Sequence, residues 1–565
     1  MANEFRHFKP ESAFVPEFRE SRELAEKKEL EFVIDTSSGK IAKIGDPRDV
    51  KEWLEAQKKE RPDLTIAPET GGVALPGLTD AHAHLLYATL DVIQPGYLFG
   101  IESKSALAAG VSEQLRKDEP KDIPQMFLGH NTTAVSDFWK DDLDEITNKP
   151  IGIWDLSLHG ARLNSAMLNL LMAEARQEEK AGRKVSGEIH KNGQVTEGYS
   201  ILAIQIAEAH CGVEKISESM DKKLESWISQ GITDIHDMDV LSWNDFAAVL
   251  LSRKKWEEKQ GTEFPVRQIF LNRVIAEELL KRQKELEKAG LFNYDRDWQL
   301  IGLKLLADGS FGAHTAMLGE PYSDIGGKGI EFDSLAELNK TIEFAREKGI
   351  DKIAMHAIGD AGIARAVETA KKWVRVAEKA KIDPTRFRIE HFELPLGVLE
   401  ETKSLGIWVN SEPNFLTDFI YRDRLSGRVM QICPHAEIIS QGIPMHFGSD
   451  GMPSSALFGL WAATHHPVPK QRIPFERALA AYSLMAADYE HHSGRGRLQV
   501  GAPADIIILN RETLNKLLPG EATEEEFVKL GKESGYQADK VNELEAGIAK
   551  IYRQGRLIKN KTERQ

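Results

Sequence analysis

Two histidines spaced by two, His82 and His84, end the stretch PGLTDAHAH (76–84), which an apolar run introduces. In a β-strand, residues i and i+2 point to the same face. Both imidazoles would therefore project from the end of one buried strand, as metal ligands do, although such a pair also suits a packed core or a surface. Other apolar runs end on similar chemistry: Lys304 in IGLKLLAD, His356 in KIAMHAIG, His391 in FRIEHFEL and Asp450 in IPMHFGSD. Each has an ordinary alternative. His356 suits a hydrogen-bonded core position, His391 could pair with its neighbour Glu390, and Asp450 could cap the turn at GSDG. Taken together, four histidines and an aspartate at successive strand ends point to a borderline divalent ion such as zinc, with manganese, iron or cobalt as alternatives.

The elements that must position these residues are eight short apolar strands. They span residues 73–82, 231–237, 266–271, 301–308, 352–359, 387–394, 407–413 and 443–450. Helical stretches such as SLAELNKTIEFAREKG alternate with several of them, which is the pattern of β/α units around a parallel sheet. Eight such units imply a closed (β/α)8 TIM-type barrel of α/β class over 73–494, its active site at the C-terminal strand ends. The first gap is too long for one helix and must hold an insertion at about 95–220, which at a barrel mouth would shape the substrate pocket. Around the barrel, LEFVIDTSSGKIAKIG (29–45) reads as a hairpin and 48–63 as a short helix. GRGRLQVGAPADIIILN and GIAKIYRQGRLIKN again read as strands. Segments 29–72 and 495–565 are thus expected to form one small β-sandwich domain from both chain ends, with 519–545 a charged excursion and 1–28 a charged leader.

Composition narrows the function. The net charge of -15 leaves no basic footprint for nucleic acid or an anionic membrane. The leader lacks the apolar core of a signal peptide, and no apolar run reaches membrane-spanning length. Cys211 and Cys433 are the only cysteines and fall outside any CxxC spacing, so a reducing cytoplasm is expected. A small-molecule substrate is the expected partner, with a homodimer allowed.

PGLTDAHAH, HAIGD (356–360), RIEHFEL (388–394), GSD (448–450) and GRLQVGAPADIIIL (496–509) together resemble the ordered motifs of the amidohydrolase superfamily of metal-dependent hydrolases. LKLLADGSFGAHTA (303–316) resembles the amidohydrolase-3 or YtcJ-like branch, which includes N-substituted formamide deformylase. The resemblance implies that His82 and His84 hold one metal with Asp450, and that His356 and His391 hold a second or orient substrate. It further implies that Lys304 is carboxylated and bridges two ions; a plain lysine paired with Asp308 is the alternative. Asp308 is expected near the substrate, and LHGARLNSAML, a partial echo of the branch, makes His159 and Asn164 pocket candidates. GSDGMPSSAL lacks the apolar pair expected after GSD.

The chemistry implied is hydrolysis of an amide, or a formamide, by water whose pKa the ion lowers from about 15.7 toward about 7. Asp450 would take that water's proton and return it to the leaving amine, while His391 or His159 would donate to the oxyanion. His130 and His314 are further lid or pocket candidates, and His236 sits by position at the catalytic rim. The pairs His465/His466 and His491/His492 read as surface. Phe138, Trp139, Trp154 and Phe415 could line an acyl pocket or simply fill the core. The same metal site could serve deamination, decarboxylation, ester or lactone hydrolysis or isomerisation. A non-catalytic scaffold is the remaining reading, against which the full ligand set argues.

Overall fold

A computed structural model describes the chain except residues 1–3, 18–21, 94–97, 99–100, 118–123, 131–134, 156–159, 181–184, 186, 241, 492–493, 533–537 and 561–565. Its centre is an eight-stranded parallel sheet whose strands neighbour one another in chain order. They are β1 Leu78–Ala83, β2 Ile232–Val240, β3 Val266–Leu271, β4 Ile301–Leu306, β5 Ile353–Ala357, β6 Phe387–His391, β7 Trp408–Ser411 and β8 Met445–Phe447. β3 and β5 are buried along their whole length, as strands covered on both faces must be, which explains their mainly apolar character and leaves the few polar side chains within them, such as Arg267, Gln268 and His356, buried. The sheet curls back on itself at the catalytic end, where the Ser449 and Asp450 N–H groups both donate to the His82 carbonyl, at 3.2 and 2.7 Å.

The covering helices follow the sequence pattern. In Asp360–Ala380, which succeeds β5, Ile363, Ala366, Val367, Ala370, Trp373 and Ala377 are buried, the stripe of an amphipathic helix. Leu335–Lys348 begins on Ser334, whose hydroxyl accepts the Glu337 N–H, and ends at Gly349 with φ 66, the expected start and stop.

The chain ends build two further sheets. Glu4–Lys9, Glu31–Asp35, Lys40–Gly45 and Thr65–Thr70 form one of four strands; Ser12–Pro16, Leu24–Lys28, Val73–Pro76, Ile506–Leu509, Ile548–Arg553 and Arg556–Asn560 form one of six. The expected leader, 1–28, therefore contributes three strands to these two sheets. Its charges had masked the apolar residues among them, of which Phe5, Phe8 and Phe14 are buried. The expected first strand is likewise two: Val73–Pro76 belongs to the six-stranded sheet and Leu78–Ala83 to the barrel. Gly77 between them is hemmed in, since a Cβ there would lie 2.4 Å from Thr233 Oγ1 and 2.8 Å from Asp505 Cβ.

The insertion carries its own sheet, of Gln125–His130, Ile151–Asp155, Gly160–Leu163 and Gln194–Thr196. A buried cluster including Met126, Leu163 and Leu171 joins it to Tyr87 and Leu90 of the barrel helix Leu86–Ile93. The charged excursion holds helices Glu524–Lys532 and Ala538–Glu545. Among the described residues no helix is long and apolar enough to cross a membrane.

Candidate metal centre

The polar strand ends meet at the mouth of the barrel. His82 is fully buried at the end of β1, and His84 follows just past it. Asp450, in the turn after β8 with φ 53, places Oδ1 2.8 Å from His84 Nε2 and 3.8 Å from His82 Nε2. The three side chains offer ligand atoms all within 4.8 Å of one another, a spacing that one ion can span.

The surroundings settle which nitrogen of His82 faces that point. Nδ1 lies 2.7 Å from Glu390 Oε2 and 3.4 Å from Glu412 Oε1; a carboxylate on Nδ1 holds the proton there and leaves the lone pair on Nε2. Among the described residues, Nε2 is buried without a hydrogen-bond partner. Such an orphaned acceptor is costly, and a divalent ion satisfies it, so the residues fit a metal. Burial, and then the charge of Lys304, push His82 well below the ordinary histidine range, so the ring is neutral and able to coordinate. Burial alone would raise the Asp450 carboxyl, but its hydrogen bond with His84 and the neighbouring histidine charges hold it below its usual value.

His391 (φ 67) ends β6. Its ring stacks on Phe415 at 5.5 Å and lies 4.7 Å from that of His82 and 4.3 Å from that of His356. Its Nδ1 is 3.0 Å from Glu412 Oε2. Glu412, rather than the adjacent Glu390, is thus its carboxylate neighbour, because Glu390 reaches across the barrel to His82. His82, His391 and Glu412 also converge, with Glu412 Oε1 and Oε2 at 3.4 and 3.0 Å from the Nδ1 atoms of His82 and His391. His356 Nε2 is 3.1 Å from the Gly309 carbonyl, which puts the proton on Nε2 and the lone pair on Nδ1. Lys304, in β4, is buried, and its charge reaches both His82 and Glu390.

Two residues that the motif spacing did not single out support this set. Arg388 grips Glu390 through Nε and, at 2.7 Å, through Nη2, while its Nη1 lies 3.0 Å from His236 Nδ1. His236 Nε2 in turn is 2.7 Å from Glu490 Oε1. His236 is therefore fully buried beneath the centre, not at the rim, because it sits within β2 rather than beyond its end. Glu412 could have been found by the criterion that found the histidines, since it ends the apolar run IWVNSEP.

The other expected residues have different surroundings. Asp308 is buried and accepts N–H groups from Met317, Ile358 and Gly359 at 2.8, 3.0 and 2.9 Å, so its carboxylate ties the loops after β4 and β5 together; burial pushes it up to about 7. Asn164 accepts from the Ile151 and Met167 N–H groups and donates to the Thr147 and Lys149 carbonyls, which commits its amide to the insertion's backbone. His314 (φ 59) contacts Asp324 at 2.8 Å and packs on Tyr322. His130 ends a strand of the insertion but its side chain lies outside the described residues, as do His159 and His492. His465 and His466 are buried, contrary to the surface reading, because the preceding helix Ala456–Thr464 is buried on every side. The His491 side chain is 59% exposed. Of the aromatics, Phe138 and Trp154 are buried within the insertion's own clusters.

Putative amidohydrolase YtcJ of Bacillus subtilis (strain 168) is 24% identical over 484 residues, covering 80% of this chain and 87% of that protein. N-substituted formamide deformylase of Arthrobacter pascens is 22% identical over 525 residues, covering 85% and 90%. The crystal structure of an uncharacterized metal-dependent hydrolase from Pyrococcus furiosus shares the fold, with TM-score 0.64 at 23% identity over 90% of this chain and 99% of that one. A family model described as "Amidohydrolase family" matches residues 70–519. That span runs from the strand before His82 to well beyond Asp450, and the chain belongs to the amidohydrolase family of metal-dependent hydrolases.

Proposed function

We propose that the protein hydrolyses a carbon–nitrogen bond of a small molecule, an amide and in particular a formamide. The observation that carries the reading is the orphaned, buried His82 Nε2 facing Asp450 and His84. The similarity to N-substituted formamide deformylase supports the choice of bond. His82, His84 and Asp450 would hold one ion, zinc foremost. His356 and His391 would hold a second, bridged by Lys304 if that lysine is carboxylated. A bound ion supplies a Lewis acid and a water of lowered pKa.

The protein's own groups do the rest. Asp450, held ionised at neutral pH by the surrounding imidazoles, accepts the proton of the attacking water and returns it to the departing nitrogen as the carbon–nitrogen bond breaks. Glu390 and Glu412 hold the His82 and His391 rings. With Nδ1 turned to Glu412, His391 presents a lone pair at Nε2, which suits a ligand; it donates to an oxyanion only when a second proton is present.

The test is to strip the protein with a chelator, add back zinc or manganese, and assay a panel of N-formyl and N-acyl amines beside esters, lactones and aminopurines. Metal-dependent release of amine and carboxylate supports the reading. Turnover confined to esters, lactones or aminopurines, or no metal uptake, rejects it.

A further inference from the structure

A carboxylate of the insertion meets the loop that follows β4. Glu197 follows the insertion strand Gln194–Thr196 and precedes the helix Gly198–Glu208. An acceptor side chain at this position ordinarily takes an N–H from the first helical turn, yet Glu197 makes no such bond. Its backbone stands at φ 52, ψ -123, a conformation that strains any residue with a side chain and that recurs at functional sites. The strain falls on the glutamate although Gly198, which would bear it freely, is next in the chain.

That geometry drives the side chain into the barrel mouth, where Glu197 is 1% exposed. There it meets Gly309. A Cβ on Gly309 would stand 2.3 Å from Glu197 Oε1 and 2.2 Å from Thr315 Oγ1, so the carboxylate oxygen lies directly against the glycine Cα. On its other side the Gly309 N–H donates to the Thr315 carbonyl at 3.2 Å, and its own carbonyl faces His356 Nε2 at 3.1 Å. That last bond fixes which nitrogen of His356 carries the lone pair.

We propose that Glu197 is a positioning residue of the metal centre: it holds Gly309 where the glycine carbonyl orients His356, so that the insertion sets the geometry of the His356–His391 pair. The proposal deepens the functional reading and rests on His356 being a ligand. It accounts for the strained backbone, the absent helix cap and the need for glycine at 309.

The test compares full-length wild type with Glu197→Ala, Glu197→Gln and Gly309→Ala. Metal-free protein is titrated with zinc and with manganese, bound ions are counted by atomic emission, and crystal structures of the metal-free forms are determined. Glu197→Ala should keep the ion of His82, His84 and Asp450, lose affinity for the second tenfold or more, and show the His356 ring turned from the Gly309 carbonyl. Glu197→Gln, which preserves the contact, should retain both ions. Gly309→Ala, whose added methyl displaces the carbonyl with Glu197 intact, should reproduce the loss. Glu197→Ala with the His356 ring in place and unchanged metal affinity overturns the proposal, as does a Glu197→Gln variant as impaired as the alanine. A wild type that binds one ion defeats the two-ion reading alone; the His356 position in the metal-free structures then decides the role of Glu197.

Discussion

The two nitrogens of His82 have separate tasks, and that separation predicts two kinds of defect. Nε2 faces the ion site, whereas Nδ1 is held by Glu390, itself gripped by Arg388. Glu390→Gln should lower metal affinity by about 10–100-fold, the usual cost of losing a ligand's outer partner. It should also destabilise the fold by about 3–5 kcal/mol, because Arg388 is left charged and buried; chelator competition and thermal melting read the two effects. Asp450→Asn should differ, keeping at least part of its metal while losing about 10²–10⁴-fold in turnover. An Asp450→Asn enzyme of full activity would refute the proton-shuttle assignment. The candidate ligands that the structure brings together, His82, His84 and Asp450, were legible in the sequence because each lies at the end of an apolar run. The partner of His82 was not, because Glu390 lies next to His391 in the chain but serves His82, 308 residues away. Adjacency along a strand misleads where partners are chosen across a barrel.

At the scale of elements, the eight strands were readable for a physical reason: strands covered on both faces are rich in apolar residues, so the few polar groups that interrupt them stand out. The insertion offered less, since its strands and helices bury a small core of their own and dock on the barrel through few residues. One junction carries a test. The insertion helix Gly198–Glu208 ends on Glu208, and the barrel helix Trp243–Gln260 begins near Asp245; both residues are buried there, with Ser242 donating to Glu208 and Thr89 to Asp245. Burial pushes Glu208 up from 4.5 to about 7, and burial together with the Glu208 charge pushes Asp245 well above its ordinary value. Such acids keep in the folded state a proton that the unfolded chain has already released. Their contribution to stability is therefore full in acid and declines as pH rises from about 4.5 through about 7. The melting temperature should fall between pH 5 and pH 8, and Asp245→Asn should flatten that fall by removing one acid and its repulsion. An unaltered slope in the variant would show that the junction does not titrate.

Across the whole molecule, the unexpected feature is that the amino-terminal segment is structural. Its charged composition hid the alternation in EFRHFK and the apolar SAFVP, and composition is a poor guide where one face of a strand is wet and the other buried. Glu4–Lys9 lies between Glu31–Asp35 and Thr65–Thr70, and Ser12–Pro16 lies between Leu24–Lys28 and Val73–Pro76. Removing residues 1–28 therefore splits the four-stranded sheet in its interior and takes the last two strands from the six-stranded sheet, leaving Val73–Pro76 as its new edge. It also strips Phe8 from its stack on Phe32 and Phe14 from its contact with Phe475. Burying each large apolar side chain is worth about 1.5–3 kcal/mol, so losing Phe5, Phe8, Phe14 and Val15 forfeits about 6–12 kcal/mol, comparable with the net stability of a whole domain at about 5–15 kcal/mol. Val73–Pro76 would lose a neighbour while remaining joined through Gly77 to the strand that carries His82, so the damage should reach the metal centre. A chain beginning at residue 29 should accumulate as insoluble protein, or melt at least 10 °C lower and bind zinc more weakly, by solubility, calorimetry and metal titration. A truncated chain that matches the full-length protein in all three would return the segment to the status of a dispensable leader.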